Sequence, residues 1–127
     1  VEPEVIAKYN VVSAPVAARM ALGAAAASGS DIAVSVTGVA GPTGGDEVRP
    51  VGTVYLGAAR GDTVYVQKLF VSRPDRALVR ARAAQAALAL ALRLAQGKVP
   101  AHTKPLAASE QHSAAALDAL NEAFLAE

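Results

Sequence analysis

Cysteine and tryptophan are both absent from this sequence, and aromatic residues make up only 4% of it. Without cysteine there is no disulfide, no thiol nucleophile and no thiolate metal site, a composition that suits a cytoplasmic protein. With so few rings, the core has to be assembled from Ala, Val and Leu through many small contacts. Charge of one sign is missing as well: 12 Lys and Arg stand against 11 Asp and Glu, a net charge of +1. That balance speaks against a nucleic-acid binder, which needs a strong basic excess. The densest apolar run, residues 83–92, is too short to cross a membrane. No signal-peptide pattern opens the sequence. It starts on Val1 rather than Met, and is therefore expected to have been processed or excerpted.

What is present is a 127-residue chain that is 53% apolar, which fits one domain with a real core. Residues 1–10 read as the tail of a short helix or a turn. Ser13 is a good N-cap and Pro15 falls in the first turn of the helix it opens, where a missing N–H costs nothing. That helix runs to about Ala27 and stops at Ser28-Gly29-Ser30. Residues 31–37, DIAVSVT, are β-branched and nearly continuous in apolar character, the pattern of a buried strand. Two further strands, 51–60 and 63–71, flank the two-residue hairpin signal Gly61-Asp62. A long helix opens at Ser72-Arg73-Pro74-Asp75 and ends near Gly97. Val79, Ala83, Ala86, Leu90 and Leu94 mark one of its faces. Leu88 and Leu92 widen that face until the helix is apolar almost all round, which predicts deep burial. Residues 99–105, with two prolines, read as a linker. Residues 109–126 read as an amphipathic helix with Leu117, Leu120 and Phe124 on one side.

Two features stand out chemically. Between the first two strands, residues 38–50 hold four glycines and two prolines. Glycine lets a backbone and a ligand approach closely, and exposed N–H groups in such a loop form an anion-binding concavity. The glycine spacing is neither that of a P-loop nor that of a dinucleotide fingerprint. A plain Gly/Pro connection is the competing reading, though a loop this long is uncommon without a function. Second, Arg73, Arg76 and Arg80 gather at the start of the long helix. Cations there oppose the helix dipole at about 0.3–1 kcal/mol each. An anionic ligand needing a bidentate partner explains the pattern, and so do arginines splayed into water. His102 and His112 share no metal-ligand spacing, and no metal or cofactor is expected. A Ser35–Lys68 dyad is conceivable, with an ordinary buried serine as the simpler reading. Asp46 and Glu47 could assist a site in the loop, with solvated carboxylates as the simpler reading.

The run VSAPVAARMALGAAAASGSDIAVSVTGVAGPTGGDEVRPVGTVYLGAA resembles the C-terminal domain of the CinA/PncC-type nicotinamide-nucleotide amidases. That family shows a V-S helix, a strand, T-G-x-A-G-P-x-G-G and K-P-V-G-T-V in this order. The later SRPDRALVRARAAQAAL resembles its G-D-R-x-x-x-R-x-x-A segment. The match covers about residues 1–96. It departs at Arg49, where the family has Lys, at Pro74, where it has Gly, and at Asn10, again for Gly. Residues 99–127 resemble nothing in the family.

The resemblance implies an α/β fold, a three-layer α/β/α sandwich with a mixed sheet. Residues 1–98 are then the domain and residues 99–127 a linker and C-terminal helix. It implies deamidation of nicotinamide mononucleotide to nicotinic acid mononucleotide and ammonia. It also implies a cytoplasmic homo-oligomer that takes a small nucleotide and no nucleic acid or membrane. The family's nucleophilic Ser, in an E-S-C-T-G-G-like segment, and its activating Lys, in a Y-S-N-x-x-K-like segment, both precede the region seen here and have no counterpart in it. Arg76 aligns with the family's active-site arginine and Arg80 with the second arginine of that segment. Thr37, Gly38, Gly41, Gly44, Gly45 and Arg80 are the expected substrate-binding residues, with Arg76 as the catalytic one. Because acyl transfer by a Ser–Lys pair needs both groups in reach, the chain alone is expected to be inactive. Two other readings stay open: a non-catalytic nucleotide-binding or regulatory module, and an interaction domain working through its C-terminal helix.

Overall fold

The computed structural model describes residues 1–73 and 75–126. The elements are α1 (Pro3–Tyr9), α2 (Ala14–Ser28), β1 (Ile32–Gly38), β2 (Thr53–Arg60), β3 (Thr63–Phe70), α3 (Arg76–Ala95), β4 (Lys104–Ala107) and α4 (Ala114–Leu125), with a 3-10 turn at Ala108–Glu110 before α4. Each long helix starts on a side-chain cap. Ser13 accepts from the Val16 N–H, Asp75 from Leu78 and Ser113 from Ala116. The hairpin turns on Gly61-Asp62, with Arg60 paired to Thr63.

The four strands lie in the order β1-β2-β3-β4, and every pair is antiparallel. The fold is α/β, in three layers. The sheet, however, is antiparallel among the described strands rather than mixed, because each strand follows its spatial neighbour and none is joined by a parallel crossover. β4 corrects the expected linker, since Lys104 and Pro105 belong to a strand paired with Val66 and Tyr65.

β2 is central and buried along nearly its whole length. Its alternation splits the core in two. Tyr55 and Ala59 join Val64, Val66 and Leu106 under α2 and α4, while Val54, Leu56 and Ala58 pack under α3. The alanines of α2 let that helix sit close. Ser35 Oγ donates to the Ala17 carbonyl at 2.6 Å. A Cβ at Gly57 would lie 2.5 Å from the Ala17 carbonyl oxygen, so only glycine fits between helix and sheet. On the far side of this layer Leu117, Leu120 and Phe124 are buried, and the Phe124 ring meets Tyr55 edge-on at 5.8 Å.

Two expectations of burial do not hold. α3 buries Val79, Ala83, Ala87, Leu90 and Leu94 but leaves Leu88 72% and Leu92 59% exposed on its outward side. One sheet covers one face of a helix, and nothing among the described residues lies over the other. β1 is likewise not a fully buried strand: it is a sheet edge, with Val34 37% and Val36 40% exposed.

Candidate functional site

The segment between α1 and α2 is held by its own carbonyls. Asn10 takes a left-handed φ of 79° and its side chain accepts from the Val12 N–H at 3.0 Å. Four successive carbonyls then find donors. Arg49 Nη2 donates to Tyr9 at 2.7 Å, Ser13 Oγ to Asn10 at 2.8 Å, Thr37 Oγ1 to Val11 at 2.9 Å, and Arg49 Nε to Val12. The loop between β1 and β2 is therefore fastened at both ends to this segment, by Thr37 at its start and Arg49 near its finish.

Inside the loop, Asp46 accepts from the N–H groups of Val48 and Arg49 at 2.9 and 2.6 Å, closing a tight turn. Val39 exchanges bonds with the returning strand, donating to Thr53 and accepting from Gly52. Gly41 has φ 81°, and a Cβ there would lie 2.5 Å from the Val51 side chain. A side chain is excluded on both counts. The Gly41–Pro42 peptide is cis. The N–H groups of Ala40, Gly41, Thr43 and Gly44 donate to no acceptor among the described residues. Arg76, the first residue of α3, reaches across and donates from Nη1 to the Gly41 carbonyl at 3.4 Å.

These groups border one open cleft of about 490 Å³. Of the residues picked out from the sequence, Gly38, Gly41, Gly44, Asp46 and Arg76 meet there. Thr37 stands behind the wall, its hydroxyl engaged by Val11. Gly45 backs onto the Val51 amide rather than the cleft. Arg80, one helical turn beyond Arg76, and Arg73 are exposed and do not line it. Pro74 lies outside the described residues. Asn10, Thr43 and Arg49 line the cleft without having stood out as ligand-binding candidates. Arg49 and Asn10 did carry a signal, as the places where the loop and the turn depart from the family pattern.

Chemically the cleft offers unengaged backbone donors, a terminal guanidinium and a second guanidinium in its wall, a donor set for an anionic group, and its lining also holds the Asp46 carboxylate, which accepts from the Val48 and Arg49 amides. Among the described residues that line it, Thr43 supplies the one hydroxyl, and no lysine or histidine stands with it as a base. Ser35 faces α2, with its hydroxyl spent on Ala17, and Lys68 sits two strands away over the Tyr55 ring at 5.8 Å. A larger cleft, about 770 Å³, opens at the opposite end of the sheet between the ends of α2 and α3. Its one arginine, Arg60, is already committed to the Leu94 carbonyl. No helix is long and apolar enough to cross a membrane among the described residues.

The sequence model of the CinA C-terminal domain matches residues 1–95. The chain belongs to that family. A "CinA-like protein" of Geobacter sp. strain M21 is 51% identical over 80 residues, covering 63% of this chain and 19% of the relative. The "Nicotinamide-nucleotide amidohydrolase PncC" of Escherichia coli K12 is 43% identical over 90 residues, covering 69% of this chain and 53% of the relative. A solved structure of a CinA superfamily protein from Escherichia coli superposes with TM-score 0.68 at 34% identity, over 74% of this chain and 54% of the other. One from Agrobacterium tumefaciens gives 0.66 at 33%, over 77% and 59%. The chain thus spans about half of the amidohydrolase relative and about a fifth of the Geobacter protein.

Proposed function

We propose that this chain is the substrate-holding part of a nicotinamide-nucleotide amidase domain, which hydrolyses nicotinamide mononucleotide to nicotinic acid mononucleotide and ammonia. The nucleophilic Ser and activating Lys then lie on the part of the domain outside these 127 residues. The observation that carries this reading is the convergence of the free loop amides at residues 40–44 with Arg76 on one cleft. Loop amides and a guanidinium suit the nucleotide phosphate, and the same guanidinium suits negative charge building on the amide oxygen during attack. The amidohydrolase relative supports the choice of nucleotide. In this reading Gly38, Gly41 and Gly44 shape the phosphate side, Arg76 acts on the ligand, and Thr37, Gly45 and Arg80 serve as support.

The test is a chimera joining the preceding segment of the Escherichia coli relative to this chain, assayed for ammonia release from nicotinamide mononucleotide. Arg76→Ala and Arg76→Lys should each lower the rate by about 10²-fold, since Lys does not reproduce a two-pronged hydrogen bond. The melting temperature should stay level or rise slightly, because Arg76 sits at the cation-disfavouring end of α3. Arg80→Ala should cost only a few-fold. Full activity in Arg76→Ala would return the arginines to the solvated surface and favour a module that binds without catalysing.

A further inference from the structure

Two guanidiniums and the free loop amides make the cleft attractive to an anion, yet a carboxylate lines it too. Asp46 is fixed there by its own turn. Its Oδ1 accepts from the Val48 and Arg49 amides at 2.9 and 2.6 Å, and its backbone N–H donates to the Arg49 carbonyl at 3.0 Å. Its Oδ2 accepts from no donor among the described residues. Neither arginine of the cleft neutralises it. Arg49 spends Nε and Nη2 on the Val12 and Tyr9 carbonyls, and Arg76 reaches the Gly41 carbonyl. Asp46 enters no ion pair among the described residues.

An unpaired carboxylate repels any anion that enters the cleft. For a bare phosphate that repulsion is pure loss. It is offset when the ligand also carries hydroxyl groups. An ionised carboxylate is an acceptor only, and a hydroxyl that donates to it forms the stronger, charge-assisted kind of hydrogen bond. Spacing along the loop says which hydroxyls are in reach. Asp46 follows Gly44 by two residues, which limits the distance between their Cα atoms to about 7 Å. The hydroxyls of a 5-phosphorylated ribose stand a few bonds from the phosphate, whereas a carboxamide on the attached ring stands beyond the sugar. We infer that Asp46 is a specificity residue that accepts hydrogen bonds from the sugar hydroxyls of a ribose phosphate, whose phosphate lies on the loop amides of residues 40–44 and Arg76. The cleft then selects ribose phosphates over inorganic phosphate. This rests on the proposed function in taking the cleft as the substrate site, and adds to it the group that reads the sugar.

The experiment titrates the isotopically labelled chain, unaltered and as Asp46→Asn, with inorganic phosphate, ribose 5-phosphate and nicotinamide mononucleotide, and follows the cleft amides by NMR. Asn keeps a side-chain oxygen for the Val48 and Arg49 amides, so the turn and the melting temperature should hold. Asp46→Asn should tighten inorganic phosphate about twofold, because the repulsion is gone. It should weaken ribose 5-phosphate and nicotinamide mononucleotide about three- to fivefold each, because a neutral acceptor replaces a charged one. A residue that merely holds the loop would move all three probes the same way, and that result overturns the inference while leaving an anion site. Weakening of nicotinamide mononucleotide alone also overturns it, since the carboxylate would then read the carboxamide. If Asn loosens the turn, the unaltered chain decides: ribose 5-phosphate must bind more tightly than inorganic phosphate, and equal or weaker binding overturns the inference. Probes that leave the cleft amides unshifted bring down the inference and the proposed function together. Opposite signs at Asp46 with no ammonia released by the chimera leave the sugar site standing and remove the amidase reading.

Discussion

At one side of the sheet β4 is four residues long, carries Lys104 and Pro105, and leads through the 3-10 turn into α4, whose Phe124 lies under the Lys104 ammonium at 5.3 Å. At the other, β1 pairs along seven residues, bears no charge or proline, and leaves two valines exposed. Both are edges of the same sheet, yet only the first is finished within this chain. The finishing elements, β4 and α4, follow the last residue matched to the family. The unfinished edge lies wholly inside the family region and borders the cleft. The segment after the matched range thus covers the edge away from the cleft, and the edge that borders the cleft stays open among the described residues.

The contrast is broken most severely by deleting residues 99–127. Leu106, Leu117, Leu120 and Phe124 would go, each contributing about 1.5–3 kcal/mol by burial. Their sum approaches the whole stability of a small domain, about 5–15 kcal/mol. The truncated chain should lose its cooperative thermal transition by circular dichroism. A sharp melt near that of the parent would mean that β4 and α4 are ornaments on the fold.

A smaller effect is expected at Arg49, which ties the loop to the start of α2. Arg49→Ala removes two charge-assisted hydrogen bonds and should cost about 1.5–3 kcal/mol in urea unfolding. Amide exchange should rise in residues 9–13 and 46–50 and stay unchanged in α4. Arg49→Lys should recover only part of the loss, because one ammonium does not span both carbonyls.

The smallest effect concerns the tie between α1 and α4. The Tyr9 hydroxyl donates to Asp118, and Lys8 lies 3.1 Å from the same carboxylate. The Tyr9 hydrogen bond, then Lys8, holds the Asp118 carboxyl below its ordinary value. A depressed carboxyl adds stability above the usual carboxylate range, near about 4, and that stability is lost as pH falls through the lowered value. Burial, then the bond to Asp118, pushes the Tyr9 phenol upward, so the contact weakens again as pH rises through that elevated value. A modest fall in melting temperature is expected below the carboxylate range and again in strong alkali. Asp118→Asn should flatten the acid limb, and an unchanged acid limb would remove the tie from the list of contacts that hold α4.

Most elements were legible because their signals are local. Ser13, Asp75 and Gly61-Asp62 each announce a cap or a turn within a few residues. The stripe Leu117, Leu120 and Phe124 announces the face of α4. β4 was not legible, since four residues beginning Lys-Pro have the look of a linker until β3 is beside them. Nor was the openness of β1. A continuous apolar strand reads alike whether both neighbours exist or one, and Leu88 and Leu92 likewise reveal apolar character without revealing what lies over it. At the cleft, Gly41 and Arg76 were visible as an odd loop and an oddly placed cation. The roles of Arg49 and Thr37 as fasteners were hidden, because they act on backbone carbonyls that no sequence pattern marks.

The most direct measurement is a titration of the isotopically labelled 127-residue chain with nicotinamide mononucleotide, read residue by residue by amide NMR. The expected shifts fall on Gly38, Ala40, Gly41, Thr43 and Gly44, with a matching change at the Arg76 guanidinium that Arg76→Ala abolishes, and no ammonia appears. Shifts centred instead on Asp31, Arg60 and Gly61, in the larger cleft at the opposite end of the sheet, would contradict the assignment of the site.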